Sequence, residues 1–202
     1  MANSEGQVAR ILYKQISLAD IRKILAQSND SKTGGGARDF RFGSYPKVAP
    51  IVMRMFPKQE VVNRRRNGVT ALTTIYSGHF YWTDQQNNVH STISYFEPPT
   101  DARPTEGRLA SVNEQPCLDP KRMPISLQGY REDNRIFLLL IQLLDDSVWP
   151  FYAEERTLRI TGMWDPRVSQ RMLQCIDAER RSDVLTIGFF DFVNGESYCN
   201  GQ

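Results

Sequence analysis

Cysteine and histidine are scarce in this 202-residue chain, with three of the first (Cys117, Cys175, Cys199) and two of the second (His79, His90). A zinc site would need further ligands beside two histidines, at suitable spacing. Two histidines eleven positions apart, with Cys117 far along the chain, do not supply them. No cysteine has a neighbouring base that would activate it as a nucleophile. No metal, cofactor or catalytic residue is therefore expected. Few cysteines, odd in number, read as free thiols in a reducing cytoplasm. Long apolar runs are missing too. The longest, Ile136 to Ile141, has the length of a strand, far short of the roughly 18 residues a membrane span requires. The N-terminal "MANSEGQVAR" lacks the apolar stretch of a signal peptide. The glycine triplet in "KTGGGARD" has no Gly-Lys-Ser/Thr behind it, which excludes a phosphate-binding loop. An acid followed by Glu-x-Lys, the metal-binding set of a nuclease core, is absent. Asp30 with Lys32 and Asp119 with Lys121 keep the spacing with Asp, both in expected loops. Cleavage chemistry by this chain alone is not expected.

What is present suits one domain over residues 1–202, long enough to bury a real core. Net charge is only +2, but it is unevenly spread: nine basic and two acidic residues fall between Lys32 and Arg66. Asp145, Asp146, Glu154 and Glu155 form a counterpart acidic region. A basic zone on a near-neutral protein points to a polyanion-facing side. The plainer reading makes Arg64, Arg65 and Arg66 a solvated loop.

Ser17 and Asp20 have the spacing of a capping box, and Ile21, Ile24 and Leu25 follow at helical spacing, so residues 18–26 read as a short helix. A loop from Gln27 to about Gly36 leads to the alternating "ARDFRF", a strand with Phe40 and Phe42 on one face. Pro46 opens a second helix striped by Val48, Ile51, Val52 and Met55, and Pro57 stops it. Segments 69–77, 79–84 and 89–96 are rich in β-branched and aromatic residues and read as strands, with "QQNN" at 85–88 as a turn. Residues 97–124 read as a long surface loop with at most one short strand. "NRIFLLLIQLL" (134–144) reads as a buried central strand, and "TLRITGMW" (157–164) as another. Asp165 caps a helix with Pro166 at its first position that runs to about Arg181, and 184–193 closes the domain as a strand. The expected fold is α+β, mainly β: about seven strands with two or three short helices in a closed or partly closed barrel.

The order polar loop (Ser28, Asn29, Asp30), Thr33, Gly34, Gly35, Gly36, strand, then a helix ending in Met55, Phe56, Pro57 resembles the N-terminal effector-binding domain of EcoRII-type restriction endonucleases. "TALTTIYSGHFYWTDQQNNVHSTISYF" is similar to that family's following hairpin, with Tyr76, His79 and Phe80 in similar places, and "NRIFLLLIQLL" to its central strand. The resemblance covers roughly residues 10–160 as an order of elements. It implies a DNA-binding pseudobarrel, a fold shared with a class of plant transcription factors, whose two arms grip duplex DNA from the major-groove side. The first arm would be Gln27 to Arg41 and the second about Tyr76 to Ser94. It also implies a strand over 18–26, and Ile24 to Gln27 suits that best. A CCWGG-type target and a C-terminal nuclease domain would go with it. One departure is plain: from Asn67 to Ala102 there is no Lys or Arg, whereas that family's second arm carries several.

The residue chemistry suits the arms. Arg38 and Arg41 present planar forks able to bind guanine bidentately. Gln27 and Asn29 could pair with adenine, Lys32 suits a phosphate, and Gly34 and Gly35 beside Thr33 let backbone approach a duplex. Asn29 with Asp30 would shape the turn. On the second arm Gln85, Gln86, Asn87, Asn88, His90 and Ser91 are candidate base-edge or phosphate partners, with Arg64, Arg65 and Arg66 adding charge nearby. The plainer alternative for the first arm is a surface turn with a structural Asp39–Arg41 pair. The expected function is sequence-specific binding of double-stranded DNA, as the target-recognition module of a type II restriction endonuclease. The alternatives are a standalone DNA-sensing protein, an enzyme acting alone, and a protein-interaction domain.

Overall fold

Side chains that alternate between two faces build most of the molecule. The computed structural model describes residues 8–25, 39–66, 69–119, 122–123, 134–178 and 185–200. It is mainly β, a ten-stranded sheet curled into a half-barrel, with few helices. The spine is β7 (Ile136–Leu143), flanked by β1 (Val8–Ile16) and β8 (Val148–Glu154). On β7, Ile136, Leu138 and Leu140 face one core, and Phe137, Leu139 and Ile141 face a second one. Burial on both faces is why the strand reads as an unbroken apolar run.

The strand order is β10 (Glu196–Cys199), β9 (Ile187–Asp191), β1, β7, β8, β4 (Val69–Thr83), β5 (Val89–Glu97), β6 (Gly107–Leu109), β2 (Phe40–Phe42). The remaining described strand, β3 (Lys58–Arg66), pairs among the described strands only with β4. Inside the curl lies α2 (Tyr45–Met55), burying Val48, Ile51, Val52 and Met55 against Phe40, Phe56, Phe80 and Phe96. On the outer face α4 (Pro166–Ala178) packs Val168, Met172, Cys175 and Ile176 over Tyr13, Phe137 and Phe190. Asp165 accepts from the backbone N–H of Arg167 at 2.8 Å and so caps α4 as expected.

Several expectations are met and several are overturned. Leu18–Leu25 is helical (α1). The Ser17 hydroxyl accepts from the Asp20 N–H and the Asp20 carboxylate from the Ser17 N–H, both at 3.0 Å, so the capping box forms and no strand occupies 18–25. The described strands number ten, not seven, and the α-helices four. Segments 69–77 and 79–84 are one 15-residue strand, β4. Gly78 lies within it because a Cβ there would come 2.6 Å from the Met55 carbonyl oxygen at the end of α2. The strand expected over 157–164 does not form. Instead α3 (Glu155–Leu158) runs into successive turns closed by Ile160 N–H to Thr157 O and Met163 N–H to Ile160 O, with Gly162 at φ +81°. The segment after Glu97 is not a surface loop throughout: Leu109, Val112, Cys117 and Leu118 are fully buried or nearly so. Finally, Cys175 and Cys199 are not free thiols. Packing of α4 across the sheet brings Cys175 over β10, and the two form a disulfide with Cα atoms 5.9 Å apart. Cys117 is free and buried, and burial pushes its thiol up to about 11.

Candidate nucleic-acid interface

The tip joining β4 to β5 is built around one carboxylate. Asp84 accepts from the backbone N–H of Gln86 and of Asn88, both at 2.9 Å, from the Asn88 amide at 3.0 Å and from His90 Nε2 at 2.8 Å. Short polar residues close turns through such side-chain to backbone bonds. The His90 bond first, then the Asn88 amide, hold the Asp84 carboxyl well below the usual carboxylate range. Asn87 takes φ +63°, a conformation asparagine tolerates. The His90 ring stacks on Trp82, centroids 5.5 Å apart. Asn88 and His90 thus shape the tip, while Gln85, Gln86, Asn87 and Ser91 are exposed on it. A glutamine or asparagine amide there offers the donor and acceptor pair that matches adenine, and its N–H groups alone can donate to a phosphate.

The predicted first-arm residues Gln27, Asn29, Asp30, Lys32, Thr33, Gly34, Gly35 and Arg38 lie outside the described residues. Their C-terminal flank is described. Arg41 donates through Nη1 to Glu106 at 3.1 Å, and its Nε lies 3.7 Å from Asp39 Oδ1. Arg41 is therefore engaged by two acids, as in the plainer alternative. Directly opposite it in the β2–β6 register is Arg108, which lies opposite Glu97 on β5. Two facing arginines repel, and the interleaved acids offset this. Arg108 donates through Nε to Glu97 at 2.7 Å, again through Nη2 to the same oxygen, and through Nη1 to Asp39 at 3.3 Å. Asp39 and Glu97 are nearly inaccessible, at 2% and 1%, so loss of a cationic partner there costs about 3–5 kcal/mol. A cavity of about 140 Å³ lies beside this network, lined by Arg41, Arg103, Glu106 and Arg108.

Strand directions decide which predicted residues meet. β4 runs toward the 84–88 tip and β5 runs back. β2, antiparallel to β6, starts at Phe40 level with Phe96 on β5 and Tyr76 at the middle of β4, and runs away from that tip. β1 ends, at Ile16, on the tip side, because it pairs antiparallel with β7, which pairs antiparallel with β8, and β8 runs parallel to β4. Of the two strands that flank this part of the chain, β1 therefore ends toward the same end of the sheet as Gln85 to Asn88, with α1 following it, whereas β2 begins midway along β4. Arg64, Arg65 and Arg66 lie at the other end. They pair with Ala71, Thr70 and Val69 at the opposite end of β4, and a 15-residue strand spans about 45 Å at roughly 3.3 Å per residue.

A groove of about 370 Å³ lies between the end of α2, β4 and the β7–β8 turn, where His79 and Tyr81 line it with Arg54 and Lys58. Both cations there are paired: Arg54 with Asp191 and Glu196, Lys58 with Glu60. Among the described residues no three His, Cys, Asp or Glu side chains group to hold a metal ion, and no helix is long and apolar enough to cross a membrane. Asp84, Glu97 and Arg108 are the organising residues that sequence reasoning missed. An Asp immediately before a Gln/Asn-rich turn is a legible signal for the first; nothing local marks the other two, which meet across the β5–β6 pair. Comparison with family models, with curated proteins and with solved structures gives no match.

Proposed function

We propose that this chain is a DNA-binding pseudobarrel that reads double-stranded DNA through the β4–β5 tip and the glycine-rich segment. The observation that supports this most is the tip itself: the Asp84-centred turn holds Gln85, Gln86 and Asn87 exposed at the end of the β4–β5 hairpin, on the side of the sheet where β1 ends. The order of elements that resembles the EcoRII-type effector domain supports it as well. On this reading the amides at the tip contact base edges or phosphates, and Lys32 and Arg38 supply charge from the other arm. The biological role that goes with it is target recognition for a type II restriction endonuclease in the cytoplasm, with the nuclease chemistry in another domain or partner.

The test is a fluorescence-anisotropy titration of random and CCWGG-containing duplexes. Binding is expected at low salt and weakens steeply as salt rises. Gln86→Ala with Asn87→Ala is expected to cost about 1–3 kcal/mol on a preferred site. Failure to bind any duplex sinks the reading and favours a protein-interaction domain, for which exposed apolar side chains are present: Phe151 (41%), edge-on to Trp164, with Ile160 (53%) and Met163 (46%) in the turns before it.

A further inference from the structure

We infer that Arg108 is a positioning residue that couples the flank of the first arm to the base of the second, an inference that rests on the two-arm reading above. Asp39 is the residue on which the glycine-rich segment re-enters the described fold, directly before β2. Glu97 is the last residue of β5, the strand returning from the Asp84-centred tip. Neither strand touches the other, since β6 lies between them. One guanidinium spans the gap: Arg108 Nε and Nη2 on Glu97, Nη1 on Asp39. A planar fork with donors on several edges can hold two carboxylates at once, whereas a lysine ammonium is a point charge on a flexible stem.

Burial makes this link stiff. Both carboxylates are shielded from water, and the Arg108 side chain is only 24% exposed, so neither acid can exchange its partner for solvent cheaply. Displacing Asp39 moves the cation on which Glu97 depends, and the reverse holds equally. Arg41 and Arg103 reinforce the arrangement from Glu106, but neither reaches Glu97. Asp39, directly before β2, and Arg41 within it are two residues apart, and both reach this network, so the first arm's flank enters it through two side chains.

Coupling between two sites is reciprocal, which makes it measurable without DNA. Amide hydrogen exchange would be followed by mass spectrometry on the full chain. Asp39→Asn is expected to speed exchange about tenfold at residues 94–97 as well as 40–42, and Glu97→Gln to do the same at 40–42 as well as 94–97, because each weakens a charged hydrogen bond. Exchange at 138–141 in β7 stays unchanged and reports that the fold is intact. In an Arg108→Lys background each response is expected to stay within its own strand. If that background does not fold, Asp39→Asn/Glu97→Gln replaces it, with an effect smaller than the product of the single effects. The inference is overturned if Asp39→Asn leaves residues 94–97 as in the native chain, or if the cross-strand responses persist with Lys at 108. A native chain that binds no duplex but shows the reciprocal response keeps the coupling and removes only the DNA reading.

Discussion

Asp191 shows how much one side chain can organise here. It ends β9, fully buried, and accepts from Arg10 Nε at 3.0 Å, Arg54 Nη1 at 2.5 Å, the Asn194 amide at 2.8 Å and the backbone N–H groups of Val193 and Asn194. Burial opposes its charge, but the bonds from Asn194 and Arg10 outweigh that and hold the carboxyl at about 2. A folded value below the ordinary one of about 3.9 means that the stabilisation is complete above that pH and is lost as pH falls toward the folded value. Asp191→Asn is expected to cost about 1–3 kcal/mol at pH 7. The gap in Tm from the native chain should close between pH 4 and pH 2, as scanning calorimetry would show. A gap independent of pH over that range would contradict the assignment. Arg41 carries the opposite lesson. Its place in "ARDFRF" suggests a base reader, yet Asp39 and Glu106 engage it, and only the fold brings Glu106 within reach.

At the scale of elements, the β3–β4 ribbon is the clearest addition to the sequence reading. Residues 58–63 carry no assignment in the sequence reading, and the plainer reading of Arg64, Arg65 and Arg66 is a solvated loop. In fact residues 58–66 pair with nine residues of β4 in unbroken register. A local signal was available, since Asn-Gly (Asn67, Gly68) between two β-prone runs is the pair that two-residue hairpin turns favour. Among the described strands β3 pairs only with β4, and Leu72 on the partner strand is 73% exposed. Because Arg64, Arg65 and Arg66 lie at the far end of β4 from the Gln/Asn tip, their combined replacement by serine is expected to change duplex affinity by less than about twofold in the same anisotropy assay, little more than the uncertainty of a few tenths of a kcal/mol that attaches to surface changes. A loss of more than tenfold would move the DNA contact onto the ribbon. The first helix was legible because its cap is local: Ser17 and Asp20 bond each other in the pattern their spacing suggests.

For the whole molecule, the two cores share one sheet, and the disulfide ties the outer one together. Cys175 and Cys199 are separated by 24 residues, a loop whose closure is worth about 3 kcal/mol in the chain-entropy account. Reduction, or Cys199→Ser, is expected to lower the urea midpoint accordingly, whereas Cys117→Ala in the other core leaves the response to reductant unchanged. Equal midpoints with and without dithiothreitol would show that the bond contributes nothing. In a reducing cytoplasm the pair would stand as thiols, so the reduced midpoint is the one relevant to a restriction role.

Local chemistry carried a good part of this architecture. Capping residues, prolines, the Gln/Asn turn and the long apolar run of β7 act through neighbours within a few positions, and each is visible in one-dimensional spacing. Burial on both faces hid β1, where Ile11, Leu12 and Tyr13 are consecutive and Lys14 is inside, bonded to Asp20 at 2.8 Å, so no period of two survives to be read. The pairing of Arg108 with Asp39 and Glu97, the removal of Arg64 to Arg66 from the tip, and the meeting of Cys175 with Cys199 depend on strand order and direction. Those are long-range properties, set when the sheet curls and closes its cores, and no local spacing encodes them.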